Sequence, residues 1–265
     1  MSIDGIELAR SGRVNCQNYR RLGYDRLSYG VYGRTLEREL DQWKARRQRF
    51  LALVRAITVL CADQDATLYG ASALQVLGVA LPERLQDWDN CHILVPTGRF
   101  RPQRRGVVTH RTTTMPPIWR RYKNSLPTLH PVDHWLQLRG TDDELVEVAD
   151  GLMRRKDPLI REEDFRRRLS ELGDTPGIKK ARRVARLVVP RTDSIYETRL
   201  RLLLVRAGLP QPEVNYSIYC NDVAMEYHVD MGYPRQKVAV EYDGADHVGD
   251  RKQMFRDAER RRDLQ

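Results

Sequence analysis

The chain has 265 residues, of which 31% are charged and 41% hydrophobic, which is enough for two or three domains with ordinary cores. The net charge of +10 fits a polyanionic partner, and the absence of a ~20-residue apolar run or a signal peptide predicts no membrane span and a cytoplasmic location. The four cysteines form no C-x-x-C pair, which argues against a zinc site and a disulfide framework.

The first region, residues 1–60, begins with a small helical piece that we expect to end in a β-hairpin over Leu27–Arg34. A basic stretch that leads into Gly-Val-Tyr resembles the N-terminal winged helix of AbiEi-type antitoxins, and the alternative is a short N-terminal cap that packs on the adjoining part of the chain. Apolar residues at three-to-four spacing then predict one helix over residues 35–60, with Thr35 as its N-cap.

The second region, residues 61–155, contains Ala66-Thr-Leu-Tyr-Gly-Ala-Ser-Ala-Leu-Gln-Val-Leu-Gly-Val79. This stretch resembles the small-residue helix of the AbiEi family, and we interpret its glycine, alanine and serine residues as packing residues. A strand is expected at 91–96, and a capping box over Thr141–Glu144 predicts a helix that runs to Met153. His134 is interpreted as a packed or surface histidine, because no paired His or Cys stands at ligand spacing.

Residues 99–123 carry eight basic and no acidic side chains. Val107–His110 should be a strand, so we expect the preceding arginines to form a basic hairpin loop, which the AbiEi family also has at this place. Uncompensated positive charge on an exposed loop favours phosphate binding over a merely solvated loop. The candidate nucleic-acid contacts here are Arg99, Arg101, Arg104, Arg105 and Arg111.

A helical, basic linker is predicted for residues 156–192, broken at Gly173–Gly177. The sequence from Asp174 to Asp193 has no acid in between. The candidate DNA contacts of this run are Lys179, Lys180, Arg182 and Arg183.

The last region, residues 193–265, contains two alternating stretches joined by a Gly-Tyr-Pro turn. Side chains two apart share a face of a strand, so each strand has an apolar face and a face with carboxylates. Asp230 and Glu241 are expected to meet across the pair, with Asp243 just beyond. Carboxylates directed at one point from two strands indicate a Mg²⁺ (or Mn²⁺) site for phosphodiester cleavage.

These residues, in order with a helical glutamate and a nearby histidine, resemble the very-short-patch-repair (Vsr)-like branch of the PD-(D/E)XK nucleases. The resemblance covers residues 190–265 and implies a restriction-endonuclease-like domain with a central mixed sheet. The implied catalytic residues are Glu197, Asp230, Glu241, Asp243 and His247. Asp243 stands where the broad pattern has an activating lysine. Lys237 lies four residues before Glu241, about 13 Å along the strand, which is too far for it to take the place of that lysine.

Ordinary structural roles stand beside this interpretation. Glu197 completes a capping box with Ser194, and Asp243-Gly244 is a common turn signal. Relatives continue with one more strand and helix beyond the position of Gln265, so the resemblance implies a nuclease core shortened at its end.

We therefore expect an α/β (α+β) protein that binds DNA and acts as a metal-dependent endonuclease. The alternative is a non-catalytic DNA-binding regulator, the antitoxin of an AbiE-like pair whose partner is a nucleotidyltransferase toxin, with the nuclease fold kept as a scaffold. RNA as the substrate stays open, because phosphate contacts carry no sequence information.

Overall fold

The structure is a computed structural model and describes residues 6–8, 16–22, 24–28, 31–34, 42–61, 65–99, 104–121, 126–220 and 225–243. Helices and three small sheets confirm the α+β class. The chain divides into two compact units, Met1–Arg139 and Gly140–Gln265. None of the helices in the described residues is long and apolar enough to cross a membrane.

The N-terminal unit opens with a three-stranded antiparallel sheet. Its strands are β1 (Ile6–Leu8), β2 (Tyr24–Ser28) and β3 (Val31–Arg34), in the order β1-β3-β2. The expected hairpin is therefore present as β2 and β3. Helix α1 runs over Gln42–Leu60, while the predicted cap Thr35 and the first residues of the expected helix lie outside the described residues.

A second sheet comes next, with strands β4 (Thr67–Leu68), β5 (Cys91–Pro96) and β6 (Val107–Thr112). Helices α2 (Gly70–Val76) and α3 (Pro131–Leu136) complete the unit and contact each other. The apolar face of α1 packs on one side of this sheet, where Phe50, Ile57, Ile93 and Val95 are fully buried. Burial of such side chains contributes about 1.5–3 kcal/mol each.

The direction of β6 corrects one prediction. Strand β5 pairs with β6 in parallel, with Cys91 opposite Val107, so residues 97–106 form a crossover and not a hairpin loop. An alternating pattern gives the same strand whichever way it runs, so the sequence did not show the direction. The sequence predicted a mixed sheet in the C-terminal region. The mixed sheet is instead the one formed by β4, β5 and β6, since β4 pairs with β5 antiparallel and β5 pairs with β6 in parallel.

The C-terminal unit begins with four helices, α4 (Asp142–Leu152), α5 (Glu162–Glu171), α6 (Ile178–Val184) and α7 (Ile195–Arg206). The predicted capping box starts α4, because Thr141 Oγ1 accepts from the N–H of Glu144 at 3.2 Å and Glu144 Oε2 accepts from the N–H of Thr141 at 2.6 Å. Helix α7 ends at Arg206, and Gly208 comes soon after with φ 87°, the left-handed conformation that ends many helices.

An antiparallel meander comes after α7. Its strands are β7 (Glu213–Cys220), β8 (Met225–Tyr233) and β9 (Val238–Val240), and a 3₁₀ turn at Pro234–Gln236 joins β8 to β9. Val229 and Met231 are buried on one face of β8. Asp230 therefore belongs to the other face, as the alternation predicted.

Candidate active site and candidate nucleic-acid interface

Asp230 and Glu241 are brought to the same end of the β8–β9 pair. Met231 is opposite Val240, the last residue of β9, so Asp230 and Glu241 are the residues next to this final pair on the two chains. The backbone N–H of Tyr242 donates to Oδ2 of Asp230 at 2.8 Å, which fixes the carboxylate of Asp230 against the segment after β9. Glu241 and Asp243 are both exposed.

Glu197 approaches this carboxylate from the first turn of α7. Ser194 caps the helix through its Oγ, which accepts from the N–H of Glu197 at 3.1 Å, and Oε2 of Glu197 accepts from the N–H of Asp193 at 2.9 Å. Only half of the predicted capping box therefore forms, because Glu197 accepts from the residue before the cap and not from Ser194 itself.

The electrostatics link Glu197 to the strands. Burial raises the pKa of Glu197, the hydrogen bond from Asp193 opposes this effect, and the negative charge of Asp230 raises the pKa further. The neighbouring Tyr196 stacks on Tyr242, with ring centroids 5.0 Å apart and planes 5° from parallel. The start of α7 and the end of β9 are thus held together beside Asp230.

Carboxylate oxygens are the ligands that hard divalent cations prefer. Within the described residues no three His, Cys, Asp or Glu side chains form a group able to hold a metal ion. Mg²⁺ usually keeps several waters and is bound through one or two carboxylates and substrate phosphates, so Asp230 and Glu241 would suffice as protein ligands. His247 lies outside the described residues, and its predicted role has no structural counterpart here.

The basic residues predicted to contact nucleic acid differ in exposure and in whether they are paired within the protein. Arg99 is paired with Asp65 at 2.8 Å, so the charge of the 97–106 crossover is partly compensated by an acid distant in sequence. Arg101 lies outside the described residues, Arg104 is half-buried, and Arg105 and Arg111 are exposed.

In the C-terminal unit, two of the four predicted contacts hold helices together. Arg183 makes two hydrogen bonds of 3.0 Å to the carboxylate of Asp142, and Lys180 Nζ donates to the carbonyl of Gly140 at 2.6 Å. Lys179 and Arg182 are exposed, and Arg182 also donates to the carbonyl of Gly173 at 3.3 Å.

A basic groove in the N-terminal unit was missed by the sequence reasoning. It is a cavity of about 580 Å³ whose lining includes Tyr19, Arg20, Asp25, Arg26, Arg49 and Arg105. Arg20 stacks over the ring of Tyr19 at 5.6 Å, and Tyr19 stacks on Tyr32 at 5.2 Å. These arginines come from a turn, a strand, a helix and the β5–β6 crossover, and no spacing in the sequence announces their convergence.

A hydrogen-bonded chain in the same unit was also missed. Asp87 Oδ2 contacts His92 Nε2 at 3.0 Å, and His92 Nδ1 contacts His110 Nε2 at 3.0 Å. Both nitrogens of His92 are used within this chain, so the three side chains lie in a line and do not surround a common point. The arrangement fits a shared proton better than a metal centre.

No protein-family profile matches the sequence. Two curated proteins of Mycobacterium tuberculosis are similar to it, the uncharacterized protein MT2308 (strain CDC 1551 / Oshkosh) and the uncharacterized protein Rv2248 (strain ATCC 25618 / H37Rv). Each is 26% identical over 253 residues, which cover 92% of this chain and 82% of the relative. Among solved structures, the crystal structure of the RV2827C protein from Mycobacterium tuberculosis matches with a TM-score of 0.39 and 17% identity, covering 79% of this chain and 77% of that chain.

Proposed function

We propose that the chain is a metal-dependent endonuclease that hydrolyses phosphodiester bonds in DNA. The observation that supports the proposal is that Tyr196 of α7 stacks on Tyr242, whose N–H donates to the carboxylate of Asp230, so that the first turn of α7, which carries Glu197, lies beside the end of the strands. A raised pKa at a half-buried carboxylate beside a second carboxylate is typical of a functional site.

Asp230 and Glu241 would hold Mg²⁺ or Mn²⁺. Such an ion, when bound, polarises the scissile phosphate and lowers the pKa of an attacking water. Glu197, with one oxygen fixed by the N–H of Asp193, is positioned to orient a water next to Asp230. Asp243 would support the metal ligands or hold a second metal ion, and His247 would orient a water or protonate the leaving oxygen.

The DNA backbone would be held by exposed arginines of the N-terminal unit. Arg20, Arg26, Arg49 and Arg105 surround one groove, and guanidinium groups bind phosphate oxygens through paired hydrogen bonds. Arg111, Lys179 and Arg182 are exposed and remain candidates for further phosphate contacts. Arg99, Lys180 and Arg183 are weaker candidates because each is paired with a carboxylate, Arg99 with Asp65 and the other two with Asp142.

The second candidate is the non-catalytic DNA-binding regulator, partnered by a nucleotidyltransferase toxin. It is favoured by the absence of an activating lysine: Lys237 sits in the turn before β9 with φ 54°, three residues before the end of the strand. In this case the groove would still bind DNA, while the carboxylates would serve only the packing of α7 on the strands.

Cleavage of plasmid DNA, single-stranded DNA and RNA in Mg²⁺ or Mn²⁺ tests the proposal. We expect metal-dependent cutting of DNA that falls at least ~100-fold in Asp230→Asn and Glu241→Gln, a loss typical of removed metal ligands or their supports. Glu226→Gln is the matched control, because Glu226 is exposed on the same strand about 13 Å from Asp230.

Binding measured in parallel separates the two candidates. DNA binding without cutting in either metal would favour the non-catalytic regulator over the endonuclease. Cutting of RNA alone would mean that the substrate is RNA and not DNA. Cutting that survives in both variants would mean that Asp230 and Glu241 are not the catalytic carboxylates.

A further inference from the structure

Helices α4 and α7 are joined by a ladder of opposite charges. Along α4, Asp143, Glu147 and Asp150 recur at spacings of four and three and so share one face. Their partners are arginines of α7. Arg206 pairs with Asp143, Arg199 with Glu147 and Arg201 with Asp150.

The innermost of these pairs is buried, and both carboxylate oxygens of Asp150 accept hydrogen bonds. Asp150 and Arg201 are 0% and 1% exposed. Oδ2 of Asp150 accepts from Arg201 at 2.8 Å and from the hydroxyl of Thr198 at 2.9 Å, and Oδ1 accepts from the N–H of Val189 at 2.8 Å. One carboxylate thus ties α4, the segment after α6 and the first turns of α7 together.

A gain in the free energy of folding does not by itself account for the buried ion pair of Asp150 and Arg201. Desolvation of two charges offsets much of their attraction, and apolar residues of similar size often stabilise such a site at least as well. A buried ion pair with several directional hydrogen bonds does fix which side of a helix faces its neighbour. An apolar contact would tolerate a rotation or a slide of α7 far better.

The rotation of α7 matters because of the residues beside the rung. Thr198 comes directly after Glu197, and Arg201 lies one turn further on. If Thr198 and Arg201 face Asp150, Glu197 is turned on the helix by about 100° from Thr198 and about 40° from Arg201, toward the charge of Asp230. Tyr196, in the same turn, reaches Tyr242.

We infer that Asp150, Arg201 and Thr198 are positioning residues for the carboxylate site, because they set the rotation of α7 that brings Glu197 beside Asp230. They touch neither the proposed metal ligands nor a substrate. The expected effect on DNA cleavage rests on the proposed function. The expected effect on the position of the first turn of α7 does not.

The test replaces the charged rung by an apolar pair of similar size, Asp150→Leu with Arg201→Met. Two signals are measured: the nuclear Overhauser effect between the stacked rings of Tyr196 and Tyr242, which needs no nucleic acid, and DNA cleavage in Mg²⁺. We expect the ring-to-ring signal to be lost and cleavage to fall ~100-fold, the order of effect that a misplacement of about 1 Å produces.

Leu202→Ala is the matched control. Leu202 is buried on α7 beside Arg201, so the change destabilises the helix packing but leaves the ladder intact. We expect it to lower the melting temperature and to keep the ring-to-ring signal and the cleavage rate below that temperature.

If the double variant Asp150→Leu with Arg201→Met does not fold, Thr198→Val serves as the test in its place, since it removes only the hydroxyl that donates to Asp150. A weakened ring-to-ring signal supports the inference, and wild-type signals in every folded variant would overturn it. A wild-type chain that cuts no DNA would defeat the proposed function, while the ring-to-ring signal would still decide whether the ladder positions α7.

Discussion

The N–H of Tyr242 donates to the carboxylate of Asp230 at 2.8 Å, so the residue directly after Glu241 is anchored to Asp230. In Asp230→Asn the side-chain carbonyl can still accept this hydrogen bond, and only the negative charge is lost. This variant therefore tests metal binding without breaking the strand pair.

We expect Mg²⁺ to raise the melting temperature of the wild-type protein and not that of Asp230→Asn. A ligand at one hundred times its Kd stabilises the folded state by about 2.7 kcal/mol. Differential scanning fluorimetry over a Mg²⁺ series at constant ionic strength measures the effect. An equal rise in both proteins would show that the ion binds elsewhere, and Glu226→Gln should behave as the wild type.

Glu197→Gln should stabilise the fold at neutral pH while it lowers cleavage. The folded-state pKa of Glu197 is raised by burial and by Asp230, so the ionised form is the one that the folded state disfavours. Glutamine keeps an acceptor for the N–H of Asp193 and removes the repulsion. We expect a rise of about 1–3 °C in melting temperature at pH 7.

The pH dependence of the melting temperature tests whether the charge of Glu197 is what destabilises the wild-type fold. As the pH falls through the raised pKa, wild-type Glu197 takes up a proton and its repulsion disappears, so the advantage of Glu197→Gln should shrink. An advantage that grows on acidification would contradict the assignment. Ser194→Ala is a useful contrast, because loss of the cap should destabilise α7 at every pH by about 1 kcal/mol.

The C-terminal strands were predictable because their signal is local. Val229 and Met231 alternate with Asp230, and this period of two gave the two faces of β8. The turn lies later than the predicted Gly-Tyr-Pro, because Gly232 and Tyr233 still pair with β9, and Glu241 and Asp243 come after β9 and not on it. The start of α7 was equally predictable from its cap Ser194, although the glutamate of the predicted capping box bonds to Asp193 instead. The local elements of the candidate site were thus predictable.

The remaining features depend on contacts between distant segments. The partner of Arg99 is Asp65, and the partners of Arg199 and Arg201 are acids on α4, roughly fifty positions away. No periodicity within one element records such pairs. The same holds for the arginine groove, to which four separate segments contribute, and for the parallel direction of β6.

The groove leads to a prediction about salt dependence. Replacing Arg20 and Arg49 by glutamine should weaken DNA binding, and each lost phosphate contact should reduce the slope of log K against log salt by about 0.9. Fluorescence anisotropy with a short duplex at several salt concentrations measures this slope. Arg183→Gln is the charge-matched control, because Arg183 is held by Asp142 and should contribute little to the slope.

Unchanged slopes in the groove variants would exclude the groove as a phosphate-binding surface. A slope that falls equally in Arg183→Gln would show a general effect of net charge instead. If the wild-type protein binds a mononucleotide and the groove variants lose that binding as they lose DNA binding, the ligand of the groove is a single phosphate group and not a nucleic-acid backbone.

Acid should destabilise the N-terminal unit through His134. Burial of the fully enclosed ring, with a smaller contribution from His130, lowers its pKa to about 3, while an unfolded histidine titrates near 6.5. The folded state therefore binds fewer protons, and the stability that neutral His134 allows is complete above about pH 6.5 and is lost as the pH falls toward 3. The loss is about 1.4 kcal/mol per pH unit, or roughly 2–3 kcal/mol between pH 6.5 and 4.5.

His134→Leu should flatten this dependence. Urea denaturation at pH 7 and pH 5, monitored by the fluorescence of the buried Trp135 beside it, measures the free energy of unfolding at each pH. A residual slope is expected from His110, whose pKa is lowered by burial and by the charge of His92. His228→Gln, at an exposed position on β8, should leave the difference between the two pH values unchanged. An identical pH dependence in His134→Leu and the wild type would mean that His134 is not the group whose protonation unfolds this unit.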